Sequence, residues 1–351
     1  MITVRPKSDR CWDIVSLGEV MLRFDPGDER IRTTRSFCVY EGGGEYNVAR
    51  NLAKCFRLDA AIITALADNE IGRLVEDLIS QGRVDTSQIV WRETDGIGRQ
   101  VRNGIYFWER GSGMRAAAGC SDRANTAVSQ LKPGDIVWEK IFLDNGTRWF
   151  HTGGIFAGLS ETTAEAATEA MQTARQSGII VSYDLNYRES LWSGRGGRDA
   201  ANELNRRLLD LADVVFGVEG FNASLSKFDN AKFRELACSM IDRHPNLQVI
   251  ATPLRNIHDA SRHDLSAACF SDGNVFVGPT FENIGVLDRV GSGDAFAAGL
   301  IYEIIMGSEL QTAIRTATTA AALAMTTHGD HLNSYLDEIT ALKSSEGSSA
   351  R

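Results

Sequence analysis

The chain has 351 residues, 43% of them hydrophobic, enough to bury a large core as one α/β unit or as two domains. Its formal charge of −9 argues against nucleic acid as the main partner, because phosphate backbones recruit basic surfaces, and no apolar run is long enough to cross a bilayer. The opening MITVRPKSDRCWD lacks the apolar centre of a secretory signal, and Cys11, Cys38, Cys55, Cys120, Cys238 and Cys269 form no CxxC pair, so a cytoplasmic chain with free thiols and no membrane partner is expected.

Residues 1–11 are polar and expected to be loose. A strand is predicted over Asp13–Leu22, then a helix over Glu45–Phe56, with Val48, Leu52, Ala53 and Phe56 on one face. AAIITALA (Ala60–Ala67) reads as a buried strand and Glu70–Gly82 as an amphipathic helix ending at glycine. Further strands are predicted at Arg148–Gly154, Gly178–Asn186, Asp213–Gly217 and Leu247–Thr252, with helices over Ser160–Gly178 and Asp199–Ala212. Residues 250–267 read as a long loop holding His258 and His263, and Ala267–Gly278 as a hairpin turning at Asp272-Gly273. Helices follow at Asp294–Met306, Glu309–Met325 and Tyr335–Leu342, and the tail KSSEGSSAR reads as disordered.

Repeated β-α-β with buried strands implies an α/β fold, a mainly parallel sheet flanked by helices on both faces. One domain over 12–343 accounts for it, with loose segments at 1–11 and 344–351. Two β-prone stretches, near 24–41 and 96–118, interrupt the alternation and suit a small β lid over the edge of the sheet where ligands sit.

The stretch LDRVGSGDAFAAGL carries the chemistry. Gly291-Ser292-Gly293 can turn successive backbone N–H groups to one point, and the following helix aims its positive end there. Such a site suits a phosphoryl group in transfer, with Asp294 beside it as a base. Alone, the stretch reads first as a helix cap, since Asp is a favoured N-cap. There is no GxxxxGK[ST] loop, no protein-kinase motif set and no GxGxxG after the first strand.

DRVGSGDAFAAGL is similar to the C-terminal signature of the ribokinase-like (PfkB-type) carbohydrate kinases, and YEGGGEYNVARNLA to their N-terminal Gly-Gly signature. The resemblance implies a ribokinase-like fold, with ATP and Mg²⁺ as cofactors. It makes Gly291, Ser292 and Gly293 an anion hole, with Ser292 in place of the usual Ala. Asp294 becomes the catalytic base, and Gly42, Gly43 and Asn47 become substrate contacts. Within the family, SLGEVMLRF, DLNYRESLW and ALAMTTHGDH most resemble the 2-keto-3-deoxygluconate kinases. That likeness implies ATP-dependent phosphorylation of the sugar acid at its C6 hydroxyl, with Arg188 on the substrate carboxylate. A guanidinium fork matches a carboxylate bidentately, and a neutral sugar does not need one.

Tyr106, Trp108 and Arg110 are the expected lid contacts, although Glu109 stands where relatives carry an arginine. Thr252, Leu254, Arg255, Gly291, Gly293 and His328 are the expected ATP contacts. The family's N-x-x-E motif is altered to VEGF: Val218 stands where Asn is usual, which leaves Glu219 as the metal candidate. The alternatives are a fructokinase-like or 5-keto-2-deoxygluconate-type kinase, or a non-catalytic sensor of a sugar acid or nucleotide. An exposed lid sheet is also compatible with pairing to a second copy.

Overall fold

The computed structural model describes residues 2–8, 11–144 and 146–344. The first half of the chain forms β1 (Trp12–Leu17), β2 (Met21–Asp25), β3 (Cys38–Gly42), α1 (Gly44–Lys54), β4 (Ala60–Ala67), α2 (Glu70–Gln81), β5 (Ile89–Arg92), β6 (Ile105–Glu109), β7 (Ala118–Asp122), β8 (Thr147–Gly153), α3 (Gly154–Ala157) and α4 (Glu161–Gln176). The second half forms β9 (Ile180–Asp184), α5 (Glu189–Trp192), α6 (Gly197–Leu209), β10 (Val214–Phe216), α7 (Asn230–Arg243), β11 (Val249–Asp259), β12 (Arg262–Ser271), β13 (Asn274–Val277), β14 (Phe281–Gly285), α8 (Ser292–Ile305), α9 (Leu310–Ala324) and α10 (Leu336–Ser344).

The main sheet has ten strands in the order β13-β12-β11-β10-β9-β8-β1-β4-β5, with β14 also beside β12. From β11 to β5 all neighbours run parallel, while β12, β13 and β14 are antiparallel additions at one edge. Residues alternate between two apolar clusters: Val214 and Phe216 enter one and Val215 the other, and Ile62 opposes Ala61 and Ile63. Helices α1, α8 and α9 close the first cluster, and α4, α6 and α7 the second. Burial on both faces is why these strands read as unbroken apolar runs.

A separate four-stranded sheet, β3-β2-β6-β7, forms the lid. Its strands only partly overlap the stretches expected for it. The predicted strand over 13–22 breaks at Gly18-Glu19-Val20, where the chain leaves the main sheet and enters the lid. A Cβ at Gly18 would lie 2.4 Å from the Glu45 carboxyl, so the crossing needs a residue without one.

Three further expectations are corrected. Residues 250–267 are no loop but the arms of a long hairpin, β11 paired with β12. Helix α7 went unpredicted although its signals are legible: Asp229 caps it, and Phe233, Ala237 and Met240 share its buried face. Residues 2–8 lack regular structure but are tied down, since Lys7 Nζ reaches Asp13 at 2.7 Å and Asp59 at 2.5 Å. The expected loose positions 1, 9, 10 and 345–351 lie outside the described residues. The Asp272-Gly273 turn is as expected, with φ of 49° and 78°, the type I′ pattern of a two-residue hairpin. No helix among the described residues is long and apolar enough to cross a membrane.

Candidate active site

A cavity of about 690 Å³ opens between the lid and the C-terminal ends of β9 and β10. The N-terminus of α8 forms its floor. The cap of α8 is Gly291, at φ 78°, and Asp294 is the third helical residue rather than the cap. A Cβ on Gly291 would lie 1.9 Å from the Asp330 carbonyl oxygen, so a side chain fails here on both conformation and space. The first N–H groups of a helix have no intrahelical acceptor, which leaves those of this turn for an anion.

Asp294 is buried against this turn, and its Oδ2 accepts a hydrogen bond from Asn47 Nδ2 at 2.7 Å. The Asn47 amide is oriented in turn, because its Oδ1 accepts from the Gly43 N–H at 3.3 Å. Gly43 permits this arrangement: a Cβ there would lie 1.8 Å from the Glu19 carbonyl oxygen. Burial pushes the Asp294 carboxyl from 3.8 up to about 7; the Asn47 bond opposes this, Asp184 and Asp330 add to it, and Arg188 opposes it. A carboxyl near neutrality, held by one amide and facing a cavity, is suited to taking up a proton.

Gly43, Asn47, Tyr106, Trp108, Arg188, Thr252, Arg255, Gly291, Ser292, Gly293 and Asp294 all line this cavity. Gly42 sits just behind it, packed against the Asp330 carboxylate and the Tyr106 hydroxyl. The remaining candidates are placed elsewhere. Leu254 is fully buried in the core on the opposite side of β11 from Arg255, as the two-residue period of a strand requires. Arg110 lines not this cavity but a second one beside it, with Nη1 2.8 Å from His328 Nδ1 and Nε 3.5 Å from Asp25, and His328 lines neither. Glu219 is held by Arg206 at 2.5 Å and Arg243 at 3.1 Å. Tyr106 spends its hydroxyl on the Asp330 carboxylate.

The structure adds residues that the sequence reading missed. Arg123, just beyond β7, is the lid arginine that lines the cavity; its Nη1 lies 3.3 Å from buried Glu19. Asp184 and Asn186, at the end of β9, belong to the DLNYR stretch already singled out. Arg289 lies over the Trp108 ring, 5.4 Å from its centroid. Trp108, Ala117 and Arg289 are shared with a second cavity of about 470 Å³ between the lid loop and the β11–β12 hairpin. His258 and His263, expected in a solvated loop, both line this second cavity; His263 is buried, and His258 is exposed and bonded to Asp264.

Beneath the cavity lies Glu45. Its Oε1 accepts from the Phe156 N–H at 3.2 Å, and its Oε2 has no partner. Burial raises its carboxyl to about 8, with Glu19 and Asp294 adding to the shift. The folded form therefore holds this proton to higher pH than the unfolded chain, and stability falls as pH rises from 4.5 to about 8. Glu45→Gln is expected to raise the thermal midpoint more near pH 8 than near pH 5; an equal shift at both values would mean that the side chain does not titrate in this way.

Comparison with known proteins shows the family. A family model described as pfkB family carbohydrate kinase matches residues 13–220 and 264–335. A 2-dehydro-3-deoxygalactonokinase of Haloferax volcanii is 30% identical over 91% of this chain and 92% of its own. The crystal structure of a 2-dehydro-3-deoxygluconokinase from Thermotoga maritima superposes with a TM-score of 0.84 at 32% identity, covering 94% of this chain and 99% of that one. A 5-dehydro-2-deoxygluconokinase of Geobacillus thermodenitrificans is 24% identical over 94% of this chain and 95% of its own.

Proposed function

The chain belongs to the pfkB family of carbohydrate kinases, and from that premise we propose that it transfers the γ-phosphoryl group of ATP to the C6 hydroxyl of 2-keto-3-deoxygluconate. The observation that carries the choice of a sugar acid is the company of Asp294 in the main cavity. Arg188 stands at the mouth without an ion-pair partner among the described residues, and Arg123 reaches in from the lid. An unpaired guanidinium beside a sugar-sized cavity suits a carboxylate.

In this reading Asp294 takes the proton of the attacking hydroxyl. The N–H groups of Gly291 to Gly293 face the charge that develops on the phosphoryl oxygens. Arg188 holds the far end of the acid, and that anchoring orients the hydroxyl at the other. The nucleotide phosphates run past Thr252, Arg255 and Arg289, and the second cavity, entered at Arg289, has room for the adenosine. Mg²⁺ enters only as the companion of ATP. Among the described residues no group of three or more His, Cys, Asp or Glu could hold it, and Glu219 is committed to two arginines. The described residues form no cage made by the protein alone, and Mg²⁺ bound to ATP phosphates needs no more than one or two carboxylates, of which Asp184 and Asp294 line the cavity.

The relative named a 5-dehydro-2-deoxygluconokinase favours one second reading, a kinase for that acid. ADP release measured with 2-keto-3-deoxygluconate, its galacto epimer, 5-keto-2-deoxygluconate and fructose separates the candidates. Turnover is expected on the 2-keto-3-deoxy acids, and Arg188→Ala should raise their KM by about 10- to 100-fold, the worth of a charged hydrogen bond. If Arg188→Ala handles the acid as well as the parent does, the carboxylate assignment is wrong. If none of the four turns over with Asp294 intact and Mg²⁺ added, the substrate assignment fails and a sensor is favoured.

A further inference from the structure

Arg255 stands out among the cations of the main cavity. It projects from β11 beside the anion-hole turn, and its Nη2 donates to Ser292 Oγ at 2.8 Å. Its Nε is buried without a partner, and no carboxylate lies within ion-pair distance among the described residues. Burial and then the repulsion of Arg289 lower the guanidinium to about 10. A half-buried cation at the head of a helix, next to a second cation and lacking a counter-ion, is an unbalanced charge until an anion arrives. Among the described residues no group of three or more His, Cys, Asp or Glu could cage a metal ion there, and Arg255 lies in 221–263, the stretch between the two blocks that match the family model.

We propose that Arg255 is a catalytic residue that balances the charge of the phosphoryl group in flight, beside the anion-hole turn to which Ser292 fixes it. The proposal rests on the kinase reading but not on the identity of the sugar. In the step, the acceptor oxygen bonds to the γ-phosphorus and its proton passes to Asp294. The bond from phosphorus to the β,γ-bridging oxygen breaks, and ADP leaves with that electron pair. Negative charge gathers on the three peripheral oxygens and on the leaving oxygen. The Arg255 guanidinium, fixed through Ser292, offers its remaining N–H groups to those oxygens.

Two measurements test this in the full chain. With ATP, Mg²⁺ and an acceptor, Arg255→Ala is expected to lower kcat by about 10²- to 10³-fold, with the KM for the sugar within about threefold and the thermal midpoint unchanged. Arg255→Lys should recover part of the rate, because charge is kept while the fork is lost. Independently of any sugar, the parent should bind ADP with aluminium fluoride and Mg²⁺ far more tightly than ADP alone, and Arg255→Ala should lose most of that difference while keeping its affinity for ADP. The proposal is overturned if kcat stays within threefold of the parent, or if affinities for ADP and for ADP with aluminium fluoride fall together. A parent that binds the nucleotide but phosphorylates none of the acids sinks the substrate assignment and leaves the nucleotide test standing. A parent that binds no nucleotide sinks both.

Discussion

Asp294→Asn is expected to cut kcat by about 10²- to 10⁴-fold, the usual worth of a positioned general base, without unfolding the protein. The isosteric amide still fits the first turn of α8, whose cap is the Gly291 backbone and not this side chain. The loss should appear in kcat for every acceptor, because the base acts on the hydroxyl common to all of them. The pH dependence supplies a second check. Burial sets the Asp294 carboxyl at about 7, so kcat/KM of the parent should rise with pH through that value as the base form appears. The residual activity of the Asn variant should lack this limb.

Stability moves the other way. The native Asp294 carboxyl binds its proton more tightly than the unfolded one, so its contribution declines as pH rises from 3.8 to about 7. An amide cannot ionise, and the variant should therefore be the more stable protein at pH 8. Less activity joined to more stability is the mark of a site that holds a charge against its environment. Full activity in Asp294→Asn would end the catalytic reading of this turn.

Much of the site was legible because its parts are local. The turn before α8, the Gly-Gly turn before α1 and the segment after β9 each sit where a strand or loop hands over to a helix. Short motifs describe such places well. The misplacements are of another kind. Leu254 and Arg255 are neighbours in sequence but face opposite sides of β11, and strand periodicity separates them once Val249–Asp259 is seen to be a strand. The lid raised a harder problem. Arg110 follows β6 and Arg123 follows the antiparallel β7, so both have equal claim on the cavity until pairing is known. Only Arg123 ends on the cavity side, where Glu19 meets it. Glu219 failed for a similar reason: its partners Arg206 and Arg243 come from α6 and the unpredicted α7. Motif spacing cannot report a counter-ion that arrives from a distant helix.

The other large effect is expected at Arg23, which lies in SLGEVMLRF but has no site role in the sequence reading. This lid residue on β2 is fully buried, and its guanidinium is shared among Asp25 at 2.6 Å, Asp330 at 2.5 Å and Asp288. Burial alone would lower its affinity for a proton, but Asp330 and Asp288 outweigh that and raise it far above the ordinary value. Asp288 begins the turn that runs into the anion hole, and its Oδ1 accepts from the Val290 N–H at 3.2 Å. Asp330 holds the lid through the Tyr106 hydroxyl and presses its carbonyl on Gly291. One guanidinium therefore ties the lid, the anion-hole turn and the turn before α10 together. Arg23→Met should destabilise the fold by about 3–5 kcal/mol, because it strands buried carboxylates. Arg23→Lys should recover only part of this, since an ammonium lacks the fork that bridges three acids. Chemical denaturation read beside kcat distinguishes a hub from a mere surface pair: a loss under 1 kcal/mol in Arg23→Met would mean that the three carboxylates do not depend on it. In Arg23→Lys, folded but with its bonds redistributed, kcat should fall while the KM for the acid holds. Arg23 shapes the turn proposed to face the phosphoryl group, whereas the proposed grip on the acid belongs to Arg188 and Arg123.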